Sequence, residues 1–209
     1  MTKFLVVFDV DSTLIEDEAI ELLADRAGQR EAVAEITERA MRGELDFAKS
    51  LVERVATLEG LPESVLEAVA NELTPTKGAK ELIAAIHQRG GKAAAVSGGF
   101  IQLLGPVKAA LDFDFERANT LEVSSGFLTG KVSGKIIDRQ AKADALLEWA
   151  NQLGLGLDRS IAVGDGANDL GMMEIAGLSV AFCAKPVVQQ KAKIALNERD
   201  LSQLIQLLP

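Results

Sequence analysis

The chain has 209 residues, of which 48% are hydrophobic, and a formal net charge of −9. That length accommodates one well-buried α/β domain with a modest insertion. The acidic balance excludes a nucleic-acid binder working through a basic face. A single cysteine, Cys183, excludes an internal disulfide framework, and a single histidine, His87, excludes a multi-histidine zinc site.

Residues 4–8 form the first apolar run and predict a buried strand. The run is too short for a signal-peptide core or a membrane span, so a soluble cytoplasmic protein is expected. It closes on Phe8-Asp9-Val10-Asp11-Ser12-Thr13. In extended backbone Asp9 and Asp11 would share one side, although a chain already turning would separate them. A strand-end carboxylate can attack phosphorus, and a protonated neighbour can donate to the leaving alkoxide and later accept a proton from water. Two loop acids capping the next helix would look the same, and Asp-x-Asp alone does not decide between them.

From residue 15 to 73 the pattern is helical, with helices expected over 19–27, 30–41, 47–57 and 62–73. Gly28, Gly43 and Gly60 punctuate them. Phe47, Leu51 and Val55 recur at i+4 and give a buried seam. So long an insertion after a first strand reads as a helical cap, with Pro75 and Gly78 marking its return. Taken singly, Glu18 is a first-turn acid and Arg54 a base on a solvated face.

A helix over 79–88 stops at Arg89-Gly90-Gly91, and a strand over 93–96 runs into Val96-Ser97-Gly98-Gly99-Phe100. Within 113–134, Ser124-Ser125-Gly126 between two apolar pieces predicts a β-hairpin, placed as a flap beside the site. The glycine and lysine stretch at 126–131 is one residue short for a phosphate-binding P-loop and lacks the following Ser/Thr. A helix over 141–153 carries Ala145, Leu146, Trp149 and Leu153 on one face, with Lys142 at its start. A strand over 161–163 closes on Gly164-Asp165-Gly166-Ala167-Asn168-Asp169, and another strand spans 180–182. Strands alternating with helices predict a Rossmann-like parallel sheet with helices on both faces. Ligands bind at the carboxyl ends of such strands. The two acidic clusters would therefore meet in an oxygen-rich site suited to Mg2+.

Phe-Asp-Val-Asp-Ser-Thr, Val96-Ser97-Gly98-Gly99-Phe100, Lys142 and Gly164-Asp165-Gly166-Ala167-Asn168-Asp169, in that order, resemble the four motifs of the haloacid dehalogenase-like superfamily. The resemblance extends over residues 3–208, without the N-terminal regulatory domain of some longer relatives. It implies a core of residues 1–14 and 76–209 and a helical cap of residues 15–75. The activity implied is Mg2+-dependent hydrolysis of O-phosphoserine through an aspartyl phosphate, the final step of serine biosynthesis. Asp9 is then the nucleophile and Asp11 the general acid/base. The metal is held by Asp9, the Asp11 backbone carbonyl and Asp165. Ser97, Gly98 and Lys142 cradle the phosphoryl group, with Asn168 near the substrate and Gly99 and Asp169 in support. The resemblance also assigns Glu18 to the substrate ammonium and Arg54 to its carboxylate, with Met41 and Phe47 as an apolar wall. An arginine fork suits a carboxylate by making two parallel bonds. The implied partner is thus a small molecule, with no nucleic acid or membrane. Two alternatives remain at this level. One is a phosphotransferase passing phosphate to an alcohol such as homoserine. The other is a non-catalytic phosphometabolite-binding protein on the same fold, in which an acid at position 9, 11 or 165 would be expected to be lost.

Overall fold

β1 (Leu5–Phe8) has no exposed surface at any residue, and its side chains divide between two cores. Val6 and Phe8 join one cluster with Phe4, while Leu5 and Val7 join the other. A strand buried on both faces belongs in a parallel sheet covered by helices on each side. The computed structural model describes residues 2–41 and 44–209, the Met41 side chain excepted, and has that build. The other strands are β2 (Lys92–Phe100), β3 (Phe115–Ser124), β4 (Phe127–Ser133), β5 (Ser160–Gly164), β6 (Leu178–Phe182) and β7 (Ile194–Leu196). Among the described residues they form one seven-stranded sheet in the order β4-β3-β2-β1-β5-β6-β7. All neighbours are parallel except the β3–β4 pair.

Four helices intervene between β1 and the return to the sheet: α1 (Ala19–Ala27), α2 (Arg30–Met41), α3 (Phe47–Ala56) and α4 (Ser64–Ala70). The left-handed backbone at Gly28, φ 66°, ends α1, and the Asp46 side chain caps α3 by accepting from Lys49 N at 2.8 Å. α5 (Ala79–Gln88) and α6 (Leu104–Leu111) flank β2 in sequence, and α7 (Arg139–Gln152) precedes β5. The short helices α8 (Leu170–Ile175) and α9 (Pro186–Gln189) and a 3-10 segment, Leu201–Leu207, complete the chain.

Two expectations differ from the outcome. The fourth helix is shorter than 62–73 because Pro62 is held in an antiparallel bridge to Phe127. The segment 113–134 is more regular than an isolated hairpin, since β3 first pairs with β2 from Ala94↔Phe115 to Val96↔Arg117 and only later turns back through β4. The hairpin also braces the α3–α4 connection. Gly60 N donates to Leu128 O at 2.9 Å, Leu128 N to Leu61 O at 2.8 Å and Glu63 N to Gly126 O at 2.8 Å.

The strand order positions the chemistry. β1 lies between β2 and β5, with Phe8 opposite Ala95 on one side and Val163 on the other. Successive connections leave β1 in opposite directions, which opens a crevice at the carboxyl ends of these strands. Asp9 N still donates to Val163 O at 2.9 Å, so β1 and β5 stay paired up to the residues that line it.

The return to the sheet is pinned by the C-terminal segment. Leu201 N donates to Lys77 O at 2.8 Å, and Lys77 Nζ pairs with Asp200 at 2.8 Å. Gly78 sits at φ +79°, where an added Cβ would lie 2.4 Å from Ser202 N. A Gly78→Ala protein should therefore lose roughly 2–3 kcal/mol of stability, from left-handed strain plus a backbone collision. Urea unfolding measures this, and a loss below about 0.5 kcal/mol would contradict the packing.

Candidate active site

Beyond β1 the backbone abandons its regular path within three residues. Asp11 has φ −60° and ψ 133°, and Ser12 turns left-handed at φ 57° inside the wide turn Val10–Leu14. The two aspartates consequently enter different surroundings. Asp9 Oδ1 accepts from Lys142 Nζ at 2.5 Å. Asp11 Oδ1 accepts from Ala19 N, in the first turn of α1, at 2.8 Å, and its Oδ2 accepts from Ser97 Oγ at 2.9 Å.

Lys142 has no exposed surface and reaches the strand ends from the first turn of α7. Asp138 caps that helix, accepting from Ala141 N at 2.9 Å. The ammonium donates to both Asp9 and Asp169, the latter at 2.7 Å. Burial alone would drive its proton off, yet Asp169 and Asp9 outweigh burial and hold the lysine above its ordinary range. Asp9 is pushed the other way, its carboxyl raised well above the usual range by burial and then by Asp169, against the pull of Lys142. Burial and Asp169 likewise raise Asp165 to about 6, with Lys185 and Lys142 opposing.

Asp9, Asp165 and Asp169 each present an oxygen within 4.8 Å of the others. Asp169 is already committed, one oxygen to Lys142 and the other to Gly166 N at 2.9 Å. Asp9 and Asp165 keep oxygens free of protein donors among the described residues. Three carboxylates against one buried ammonium leave an excess of negative charge that a hard divalent cation matches. The donor set therefore fits a metal ion. The Asp11 carboxylate, turned to Ala19 and Ser97, is not in that group, which leaves only its backbone carbonyl for a ligand role.

Ser97, Gly98 and Gly99 lie where β2 bulges away from β3, between the pairs Val96↔Arg117 and Phe100↔Asn119. Gly99 N donates to Ser97 Oγ at 2.7 Å. Side chains would not fit here: a Cβ on Gly99 would be 2.8 Å from Asp11 Oδ2, and one on Gly98 would be 2.8 Å from the Phe47 ring.

A cavity of about 600 Å³ opens over these groups. Asp9, Asp11, Gly98, Gly99, Asp165 and Asn168 line it from the sheet side, and Glu18, Phe47, Leu51 and Arg54 from the inserted helices. Glu18 accepts from Ser12 Oγ at 2.7 Å. Although it meets the water of the cavity, enclosure by protein, followed by the charge of Asp11, raises its carboxyl to about 7. Arg54 donates from Nε to Ser50 O at 3.2 Å, and its terminal nitrogens have no partner among the described residues. Burial lowers its pKa, offset in part by Glu18 and Asp11.

Lys142 and Ser97 are buried and are not among the residues lining the cavity, and they reach it through their bonds to Asp9 and Asp11. No described residue of the hairpin lines it either, and the hairpin's backbone bonds go to the connection between α3 and α4. The Met41 side chain lies outside the described residues. Arg139 and Lys185 are additional cations on the cavity wall. Lys185 belongs to Ala181-Phe182-Cys183-Ala184-Lys185-Pro186, a segment that also carries the family resemblance, but nothing in its spacing alone places it beside Asp165.

The comparisons with known proteins converge on this geometry. Residues 6–174 match the family model for haloacid dehalogenase-like hydrolases. A phosphoserine phosphatase of Streptococcus thermophilus is 51% identical over 206 residues, covering 99% of this chain and 96% of that protein. A solved phospho-aspartyl intermediate analogue of phosphoserine phosphatase superposes with a TM-score of 0.94 at 42% identity, each chain covered completely. A substrate-bound phosphoserine phosphatase complex gives the same values. With a family match across most of its length, and strand-end acids arranged for phosphoryl transfer, the chain belongs to the haloacid dehalogenase-like hydrolases.

Proposed function

We propose that this chain hydrolyses O-phosphoserine to serine and inorganic phosphate through an aspartyl phosphate on Asp9. The observation that carries the reading is one cavity with two dissimilar walls. Asp9, backed by the buried Lys142 and Asp169, lies at its floor, and the Glu18 carboxyl and an Arg54 guanidinium whose terminal nitrogens have no partner among the described residues line it from the inserted helices. Phosphoserine has matching parts: a phosphate ester, a carboxylate for the arginine fork and an ammonium for the acid. We divide the chain accordingly into a core of residues 1–14 and 76–209 and a helical cap of residues 15–75. A cytoplasmic place in serine biosynthesis belongs to the same proposal. Among the described residues no helix is long and apolar enough to cross a membrane.

An Asp9 oxygen attacks phosphorus, and the bond to the serine oxygen breaks as the new P–O bond forms. Asp11 gives its proton to the departing alkoxide. Water then attacks the acyl phosphate, and Asp11 takes the proton that water loses. The Ser97 hydroxyl, backbone N–H groups of the bulge and Lys142 bear on the charge spread over the equatorial oxygens. Lys142 faces Asp9 from behind and can follow the charge as it moves from carboxylate to phosphoryl. A divalent cation, Mg2+ in this reading, would be held by the Asp9 carboxylate, the Asp11 carbonyl and the Asp165 carboxylate and would supply further positive charge there. Phosphate release from phosphoserine and from a generic aryl phosphate, with and without Mg2+, tests the assignment as a whole.

Asp9→Asn should abolish phosphate release, by about a thousandfold or more, with no loss of fold. The amide keeps the shape and removes a carboxylate that its acidic neighbours oppose. Near-normal turnover by the folded variant would overturn the covalent mechanism.

The raised carboxyls fix a pH dependence of the metal-free protein. Asp9, Asp165 and Glu18 hold protons in the folded state that the unfolded chain releases, so stability declines as pH rises from the ordinary carboxylate range to about 6–7. Thermal melts in chelator should show a lower midpoint at pH 7.5 than at pH 5, with a smaller drop for Asp165→Asn. Added Mg2+ should raise the midpoint more at the higher pH. Equal pH responses from wild type and variant would remove the charged cluster as the cause.

Arg54→Ala tests substrate identity. Loss of a charge-assisted bidentate contact costs about 1.5–3 kcal/mol, or roughly ten- to over a hundredfold in kcat/KM for phosphoserine. An aryl phosphate lacks the carboxylate and should change little, and Arg54→Lys should recover only part of the loss. Equal losses on both esters would mean that Arg54 holds the cap or serves the chemistry.

A further inference from the structure

Asn119 is 1% exposed and touches neither the cavity nor the reacting groups. Its position is set by the β2 bulge. Between Val96↔Arg117 and Phe100↔Asn119, β2 runs through Ser97, Gly98 and Gly99 while β3 advances by Ala118 alone. A bulge leaves ladder groups unpaired, and a buried unpaired carbonyl is costly. Asn119 Nδ2 donates to Gly98 O at 2.8 Å, and its Oδ1 accepts from Ile137 N at 2.8 Å. One partner is an acceptor and the other a donor, so the site requires the two ends of a carboxamide.

Each bond leads to a different part of the catalytic site. The Gly98–Gly99 peptide is planar, so holding its carbonyl on Asn119 turns the Gly99 N–H the opposite way, onto Ser97 Oγ at 2.7 Å. Ser97 Oγ in turn donates to Asp11 at 2.9 Å. On the other arm, Ile137 precedes Asp138, whose side chain caps α7 and whose carbonyl accepts from Lys142 N at 2.9 Å. Lys142 then reaches Asp9. We propose that Asn119 is a positioning residue that ties the Ser97–Gly99 bulge to the start of α7. It holds the Ser97 hydroxyl on Asp11 and the Lys142 ammonium on Asp9, so that the two reacting carboxylates keep one relative placement. This rests on the hydrolase reading above and extends it to a residue outside the cavity.

The experiment compares Asn119→Ala and Asn119→Asp with wild type on phosphoserine and on an aryl phosphate, with Mg2+ present and with melting curves for each protein. Misplacing reacting groups by about an ångström costs up to about a hundredfold, so kcat should fall about ten- to a hundredfold with KM changed less than about threefold. The loss should be equal on the two esters, because both share the phosphoryl group. N119D retains the acceptor for Ile137 and, once its new carboxyl is protonated, regains a donor for Gly98. Its kcat relative to wild type should therefore climb as pH falls from 8 to 5.5. If N119A does not fold, N119D carries the test. A folded variant with wild-type kcat, a loss confined to KM or to one ester, or an N119D deficit independent of pH overturns the proposal. Wild-type protein active on the aryl phosphate but not on phosphoserine would sink the substrate reading and leave the Asn119 comparison intact. Activity on neither ester would overturn both.

Discussion

A buried ammonium needs carboxylates around it, and those carboxylates repel one another unless something positive lies among them. Lys142 and its partners Asp9 and Asp169 are caught in this reciprocal constraint at the end of the central strand. The lysine stays charged because two acids surround it, and Asp9 is pushed toward neutrality first by burial and then by the nearby charge of Asp169. Removing the lysine would leave buried carboxylates without a counter-charge, a costly loss, whereas removing Asp9 alone leaves the ammonium paired with Asp169. The arrangement therefore fixes the geometry of Asp9 at the end of the central strand. It also explains why β1 and β5 must be adjacent and in register, since Asp9 and Asp165 belong to their two ends.

The inserted helices add what the floor of the cavity lacks. The sheet side offers acids, small residues and backbone, all suited to a phosphate ester and indifferent to what the ester carries. Glu18 and Arg54 arrive with the insertion, one at the start of α1 and one on α3. Phe47 closes against Gly98, where only a glycine leaves space for its ring. Separate stretches of chain thus meet across one cavity. The hairpin secures the inserted one from outside, through the backbone bonds at Gly60, Leu61 and Glu63.

Much of this was legible in the sequence because the signals were local. Short apolar runs ending in Asp9 and Gly164-Asp165 marked the central strands, and glycine stops bounded α1 and α5 within a residue. The alternation of strand and helix was enough for the parallel sheet. What escaped was set by distant partners. The fourth inserted helix lost its N-terminal end to a bridge between Pro62 and Phe127. β7 has only three residues and is a strand because β6 supplies the pairing. The segment 113–134 read as an isolated hairpin because nothing local says that Phe115–Arg117 will pair with β2. Lys142 was placed beside the phosphate by resemblance, but burial behind Asp9 depends on how α7 docks on the sheet. Arg139 carries no pattern that distinguishes it from an ordinary surface cation, and Lys185 stood out only as part of a family-like segment with no role attached.

The pairing of β1 with β5 also governs how the molecule comes into being. Val7 lies beside Ala162, so the central strand, made first, finds its second neighbour only after most of the chain exists. Contacts so distant in sequence are entropically late and slow a folding reaction. Until then β1 is a run of bare leucine, valine and phenylalanine with one side unpaired, the kind of exposed edge that draws other nascent chains. The same delay keeps Asp9 apart from Asp165 and Lys142, so the reactive centre cannot assemble in any partial product of synthesis. Competence for catalysis arrives together with closure of the sheet.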